Sequence, residues 1–337
     1  MRYSIIFICS CIIALCYSCN DKNAQTINTR SELFHKAETL DGRHVEFDTI
    51  PGVVGLLTPV DSLYFCYLYD SEHYIMITDR DFNILGYTAR KGGGPGEVIQ
   101  ISTLFGNILK NTDFAVLDPN KRTVYGCDLN HWNDMTPRLE LATVTDVPTP
   151  LYLQELKNGK YLMAPMDYQY GLYTYDQAVD SVYHWPIGPD LPENKKHYIS
   201  SGRRFAYNQT NDIVAEYYSV LPLLILHNVN GDVVRIFQYD DMPRWENIDG
   251  DSENLISGIC LTDNCIFTLL GDCDSTGDPK DIQSVLVTDY EGHPVVRLNI
   301  KPAYSISIDK DYRRLIAVNP DEDENITIYD IPDWIVL

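Results

Sequence analysis

The sequence predicts an all-β fold: a six-bladed β-propeller with four antiparallel strands in each blade. Three observations carry this. Downstream of residue 50, short β-branched and aromatic runs alternate with turn residues. A unit recurs in which an apolar strand ends on Asp or Asn, turns, and is followed by a second strand a few residues on. The marks of this unit, Asp79, Asp128, Asp176, Asn228, Asp289 and Asp330, are separated by 49, 48, 52, 61 and 41 residues, which suits one blade per repeat. A pair of β-sandwiches with similar hairpins is the alternative.

The chain opens with a segment of a different kind. Met1-Arg2 is a short basic start, and Tyr3 to Leu15 is a nearly continuous apolar run. It is too short to span a bilayer and fits the core of a signal peptide. It closes on Cys16-Tyr17-Ser18-Cys19, a small residue before a cysteine, which is similar to a bacterial lipobox with Leu15 one place early. Residues 1–18 are therefore read as a lipoprotein signal peptide and Cys19 as the acylated membrane anchor; plain secretion with cleavage nearby is the alternative. Several acyl chains would hold firmly, since each buried methylene adds about 0.8 kcal/mol. Residues 19–43 are polar and pattern-poor and predict a tether, which leaves 44–337 for the propeller.

The blades follow in order. Blade one is expected over 53–57, 63–68, 74–78 and 84–88, and blade two over 104–109, 114–117, 123–127 and 139–144. Blade three takes 151–156, 161–165, 172–175 and 182–185; blade four takes 204–207, 213–217, 223–226 and 233–237. Blade five takes 256–260, 265–270, 284–288 and 295–298. Blade six takes 304–308, 314–318, 326–329 and 334–336, with 44–47 as the alternative outermost strand that would seal the ring from the N-terminal side. Asp or Asn at each mark has a local reason: its side chain accepts a backbone N–H two residues on and starts the turn. Gly231 and Gly292 supply the positive φ such turns need, and Phe82 departs from the pattern.

Composition narrows the partners. A net charge of −22 and a pI near 4.6 exclude the basic footprint needed for nucleic acid or for docking on an anionic membrane surface. The string Gly92-Gly93-Gly94-Pro95-Gly96-Glu97 follows an outer strand that contains Gly86-Tyr87, with the lipobox-like junction before it and the marked hairpins after it. Together these resemble the TolB-like six-bladed β-propeller lipoproteins of Gram-negative, Bacteroidota-type bacteria. The resemblance covers most of the mature chain. It implies the fold and a lipid-anchored place in the cell envelope, at the outer membrane on its periplasmic or surface face, and it brings no settled activity with it.

Several stretches could carry chemistry, each beside a structural reading. The N–H groups of Gly93, Gly94 and Gly96 beside Arg90 and Lys91 could cradle an anion; alternatively they thread a tight crossing, with Glu97 taking the freed donors. Tyr168 and Tyr170 crown a tyrosine cluster in blade three that could stack on sugars, flanked by Arg203 and Arg204, or else its rings pack between blades. Asp272, Asp274, Thr276 and Asp278 match the first half of a calcium loop, but Pro279 and Gln283 break its second half, so a solvated loop is the competing reading. Asn107, Glu155 and Asn208 are expected near the channel, where six-bladed lactonase-type enzymes hold a metal, but no aspartate from blade five or six completes that set. Cys260 and Cys265 flank a short hairpin and are either a disulfide or free thiols; Cys66 and Cys127 read as buried thiols. No nucleophile constellation is visible and no cofactor is implied, with calcium the weak exception. The expected role is a non-catalytic envelope module for a saccharide, peptide or protein ligand. A hydrolase, lactonase or lyase on sugar-like substrates is the runner-up, and a structural partner within an envelope complex the third reading.

Overall fold

The computed structural model describes residues 26–47, 52–102, 105–141, 148–165, 171–185, 194–195, 199, 202–242, 244, 247–249, 254–271, 282–321 and 325–337. It is a six-bladed β-propeller. Blade one consists of Val54–Val60, Leu63–Leu68, His73–Thr78 and Ile84–Arg90, and blade two of Phe105–Gly106, Phe114–Asp118, Thr123–Cys127 and Thr136–Glu140. Blade three is Pro150–Glu155, Tyr161–Pro165, Tyr173–Asp176 and Ser181–His184. Blade four is Arg203–Asn208, Ile213–Tyr218, Leu223–Asn228 and Val233–Gln238; blade five is Ile256–Leu261, Cys265–Leu270, Gln283–Asp289 and Pro294–Ile300. Blade six is Ser305–Asp309, Arg314–Val318, Ile326–Asp330 and, from the other end of the chain, Gly42–His44.

The first strand of each blade lies at the axis, and the blades pack face to face through apolar layers, one per interface. Phe65 stacks on Phe114 between blades one and two, with centroids 3.9 Å apart. Phe267, Val296 and Leu315 share the layer between blades five and six, and Tyr64, Cys66 and Ile316 the layer between six and one. Each large side chain taken fully from water in these layers contributes about 1.5–3 kcal/mol.

The marked hairpins have the expected chemistry. Asp79 Oδ1 accepts the N–H of Asp81 at 2.9 Å and of Asn83 at 2.8 Å. Asn228 does the same for Asn230 and Asp232, and Asp289 for Glu291 and His293. The third residue after each of these marks has a positive φ: Phe82 at 65°, Gly231 at 87° and Gly292 at 86°. Phe82 tolerates this backbone because its buried ring packs 4.9 Å from the Tyr64 ring and edge-on to Phe47. At Asp128 the chain enters a 3-10 turn, Leu129–His131, so blade two's outer strand is Thr136–Glu140 rather than 139–144.

Ring closure differs from the leading expectation. Residues 334–336 form no strand. Ile331 donates its N–H to Arg313 O, Pro332 has none to offer, and Arg313 Nη2 donates to the carbonyls of Pro332 at 2.6 Å and Ile335 at 2.8 Å. Ile335 is fully buried in the layer between blades five and six, so the tail is a plug rather than an edge. Gly42–His44 closes blade six instead, pairing antiparallel with Thr327–Tyr329. Here glycine is required: a Cβ at position 42 would lie 2.5 Å from both Thr327 Cγ2 and Tyr329 Cε1.

The described part of the expected tether is likewise structured. Thr26–Asn28 runs parallel to blade four's outer strand and Ala37–Thr39 parallel to blade five's. Phe34 between them is buried against blades four and five. Residues 26–44 thus form a strap over the outer edges of blades four, five and six, which covers strand edges that would otherwise be open. A polar latch holds blade six to blade one: Arg80 pairs with the buried Asp309, whose carboxylate also accepts the Tyr64 hydroxyl at 2.6 Å. The four described cysteines are free thiols; Cys260 Sγ lies 3.1 Å from Ile306 O and Cys265 Sγ 3.1 Å from Val336 O, so the disulfide reading of this pair is not realised. Burial raises the Cys260 thiol to about 12 and the Cys265 thiol to about 11, which keeps both protonated.

Candidate functional site

The propeller has two ends. At one, the fourth strand of each blade crosses to the first strand of the next; at the other, the first strands finish and turn back. A cavity of about 250 Å³ sits at this second end, where the strands of blades one to four converge. Blade one contributes Val60 and Asp61, and blade two contributes Asn107, Leu109, Lys110, Thr112, Asp113 and Leu129. Gln154 and Glu155 close it from blade three and Gln209 from blade four.

These residues divide by what the fold already asks of them. Glu155 Oε2 accepts the Lys110 N–H at 2.9 Å, and its other oxygen is 3.9 Å from the Lys110 ammonium, which donates to Lys157 O. Gln154 Nε2 donates to the carbonyls of Asn107, Ile108 and Glu155. Asp113 Oδ2 accepts the Leu129 N–H at 3.0 Å and leaves the second oxygen uncommitted. Asp61, Asn107, Thr112 and Gln209 are different: their side-chain polar groups have no partner among the described residues. Asp61 sits in the turn at φ 49°, a left-handed position that Asp tolerates. Donors and acceptors held on strand ends but unused by the fold are what a small polar ligand needs.

The residues singled out in the sequence lie elsewhere. The glycine stretch is at the opposite end, and two of its glycine N–H groups are bonded within the loop. Gly94 N–H donates to Glu97 Oε2 at 2.8 Å, Gly92 N–H to Val98 O at 3.0 Å, and Lys121 Nζ to Glu97 O at 2.7 Å. The Glu97 carboxylate stands where an anion would, with Arg90 Nε 4.0 Å away, and the Lys91 ammonium lies over the Tyr74 ring. Gly96 turns the loop at φ 74°, and Gly93 has open space around it. Glu97 thus pins the crossing by taking the Gly94 N–H, as the structural reading of the string expects.

Arg203 and Arg204 start blade four's first strand and point to opposite faces of it. Arg203 is buried, 3.9 Å from Glu216, while Arg204 donates to Arg203 O and lies over Tyr152. Tyr168, Tyr170, Cys19 and the calcium candidates Asp272, Asp274, Thr276 and Asp278 lie outside the described residues. Of the described tyrosines of blade three, Tyr173 is buried and donates to Pro148 O at 2.7 Å, Tyr161 stacks on Tyr175, and Tyr183 is exposed with the Lys160 ammonium over its ring. The metal trio is not assembled. Asn107 and Glu155 line the cavity, but Asn208 is buried toward blade five, donating to Thr262 O and Tyr290 OH at 2.6 Å each. Among the described residues no group of three or more His, Cys, Asp or Glu is placed to hold a metal.

Asp61, Asp113 and Gln209 were not legible as site residues. One signal was available: a polar residue follows the first strand in blades one, two and four, as Val60-Asp61, Gly106-Asn107 and Asn208-Gln209.

No family model matches the sequence, and no curated protein does. Solved structures do match in shape. A protein of Bacteroides fragilis described as exported aligns at 14% identity over 90% of this chain and 98% of its own, with a TM-score of 0.59. A member of the DUF4221 family from Bacteroides vulgatus aligns at 12% identity over 87% and 96%, with a TM-score of 0.55. At these identities the likeness is one of fold: this chain is built like Bacteroides propellers that span nearly the same length.

Proposed function

We propose that this protein is a non-catalytic binding module of the cell envelope, anchored through a lipid on Cys19, that takes a small polar ligand in the cavity where the first strands end. One observation carries the reading: Asp61, Asn107, Thr112 and Gln209 converge there from three blades with polar groups that the fold does not use. The cavity is at the small end of the range for ligand pockets and suits a monosaccharide-sized or amino-acid-sized molecule rather than a polymer chain. The resemblance to TolB-like envelope lipoproteins and the exported Bacteroides neighbour support the location.

The test is a calorimetric screen of the purified chain against mono- and disaccharides, amino acids and short peptides. Asn107→Ala with Gln209→Ala should weaken any hit at least about tenfold, each lost hydrogen bond contributing about 0.5–1.5 kcal/mol. Both residues are exposed and their side chains have no partner among the described residues, so the melting temperature should hold. Binding that survives the double variant removes the cavity from the proposal, and turnover of a bound sugar would move the protein to the enzyme reading.

A further inference from the structure

The charge around the cavity points to the kind of ligand, an inference that rests on the binding reading above. We infer that the site selects a small organic cation: a primary ammonium on a short, partly apolar body. Asp61, Asp113 and Glu155 line the cavity, with Lys110 as the one cation among the described residues that line it. That lysine is already engaged by Glu155 and by Lys157 O, so it has little to offer an incoming anion. The Asp61 carboxylate and the second oxygen of Asp113 remain as acceptors.

A second observation is independent of the acidic groups. Thr112 is 8% exposed, lines the same cavity, and its hydroxyl has no partner among the described residues. Its Cγ2 is turned toward Gly126, where a Cβ would meet it at 2.4 Å. The residue is nearly buried while its hydroxyl keeps access to the cavity, where it is available to pair with what enters. Together with the Asn107 and Gln209 amides it supplies acceptor oxygens of the kind an ammonium's three N–H donors require.

The remaining wall is apolar. Val60 and Leu109 are buried and Leu129 is half-buried beside them, a surface for a hydrocarbon stem. A metal ion would need its carboxylates drawn together, and among the described residues they are not.

The experiment compares isosteres that differ only in the ammonium: putrescine with 1,4-butanediol, glycinamide with glycolamide, and glucosamine with glucose. Each is titrated by NMR into the full chain at about 50 mM salt, where charge interactions are only partly screened. At least one ammonium probe should bind tenfold or more tightly than its neutral partner. Asp61→Asn with Asp113→Asn should bring that ratio near one; Asn tolerates the left-handed turn at 61 and keeps an acceptor for the Leu129 N–H at 113. If no ammonium probe exceeds its isostere tenfold, the inference is overturned. A ratio that persists in the double variant overturns it as well. Neutral and ammonium probes binding equally would end the charge inference while leaving the binding module intact.

Discussion

Glu216 is the most demanding residue of the fold. It is fully buried between blades three and four, and its two oxygens are shared among three partners. Oε1 accepts the Tyr218 hydroxyl at 2.9 Å and faces Arg203, while Oε2 is 2.8 Å from His227 Nε2. Burial acts to raise the carboxyl, but the hydrogen bond and charge of His227, then Arg203 and Tyr218, outweigh it and hold the group below its ordinary 4.5. A lowered folded-state value means that the stability is complete above about pH 4.5 and is lost as pH falls through that lowered value. Glu216→Gln removes the buried negative charge that His227 and Arg203 face, so it should cost about 3–5 kcal/mol at pH 7. Thermal melts across pH 3 to 7 check both parts: the variant should melt well below the parent at neutral pH, and the gap should narrow in acid. Equal melting at pH 7 would mean that the Glu216 charge adds no net stability there.

At the scale of elements, the strap decides the architecture. Blade six has three strands of its own and borrows the fourth from residues 42–44, so opening the ring requires pulling the N-terminal segment away. The glycine at 42 permits that contact. Gly42→Val would drive a branched side chain into Thr327 and Tyr329, and overpacking of this kind costs about 1–3 kcal/mol. Denaturant melts should show a lower midpoint in one cooperative transition, because blade six also carries the latch to blade one through Asp309. A separate early transition would mean that blade six opens alone. A control at Gly93, where a Cβ meets nothing within 4 Å, should leave the midpoint nearly unchanged.

For the whole molecule, the strap sets how far a lipid anchor on Cys19 could hold the body from a bilayer. If Cys19 carries the lipid, Thr26 is already paired with blade four only seven residues later. Seven residues reach at most about 25 Å when fully extended. The body would therefore stand close to the bilayer with its blade-four side nearest, rather than swing on a long tether. Cys19→Ala should abolish lipid labelling and move the protein from the membrane fraction to the soluble fraction. A mutant that stays with the membrane through its N-terminus would remove the lipoprotein proposal.

The repeat was legible because it is local. Asp79, Asn228 and Asp289 hydrogen-bond residues two and four places on, so their meaning does not depend on the rest of the chain. The glycine string was half legible: Glu97 taking a freed N–H is again a contact within a few residues. What the sequence by itself determined was therefore the strand-and-turn alphabet, and through its period the number of blades. Closure was decided in three dimensions, since residues 42–44 and 327–329 are remote in the chain and meet only when the ring forms. The same holds for Arg203, which reads as a surface cation until Glu216 is folded against it. It holds most of all for the cavity. Asp61, Asn107 and Gln209 are unremarkable turn residues along the chain, and only the radial packing of blades one to four brings their unused polar groups to one place.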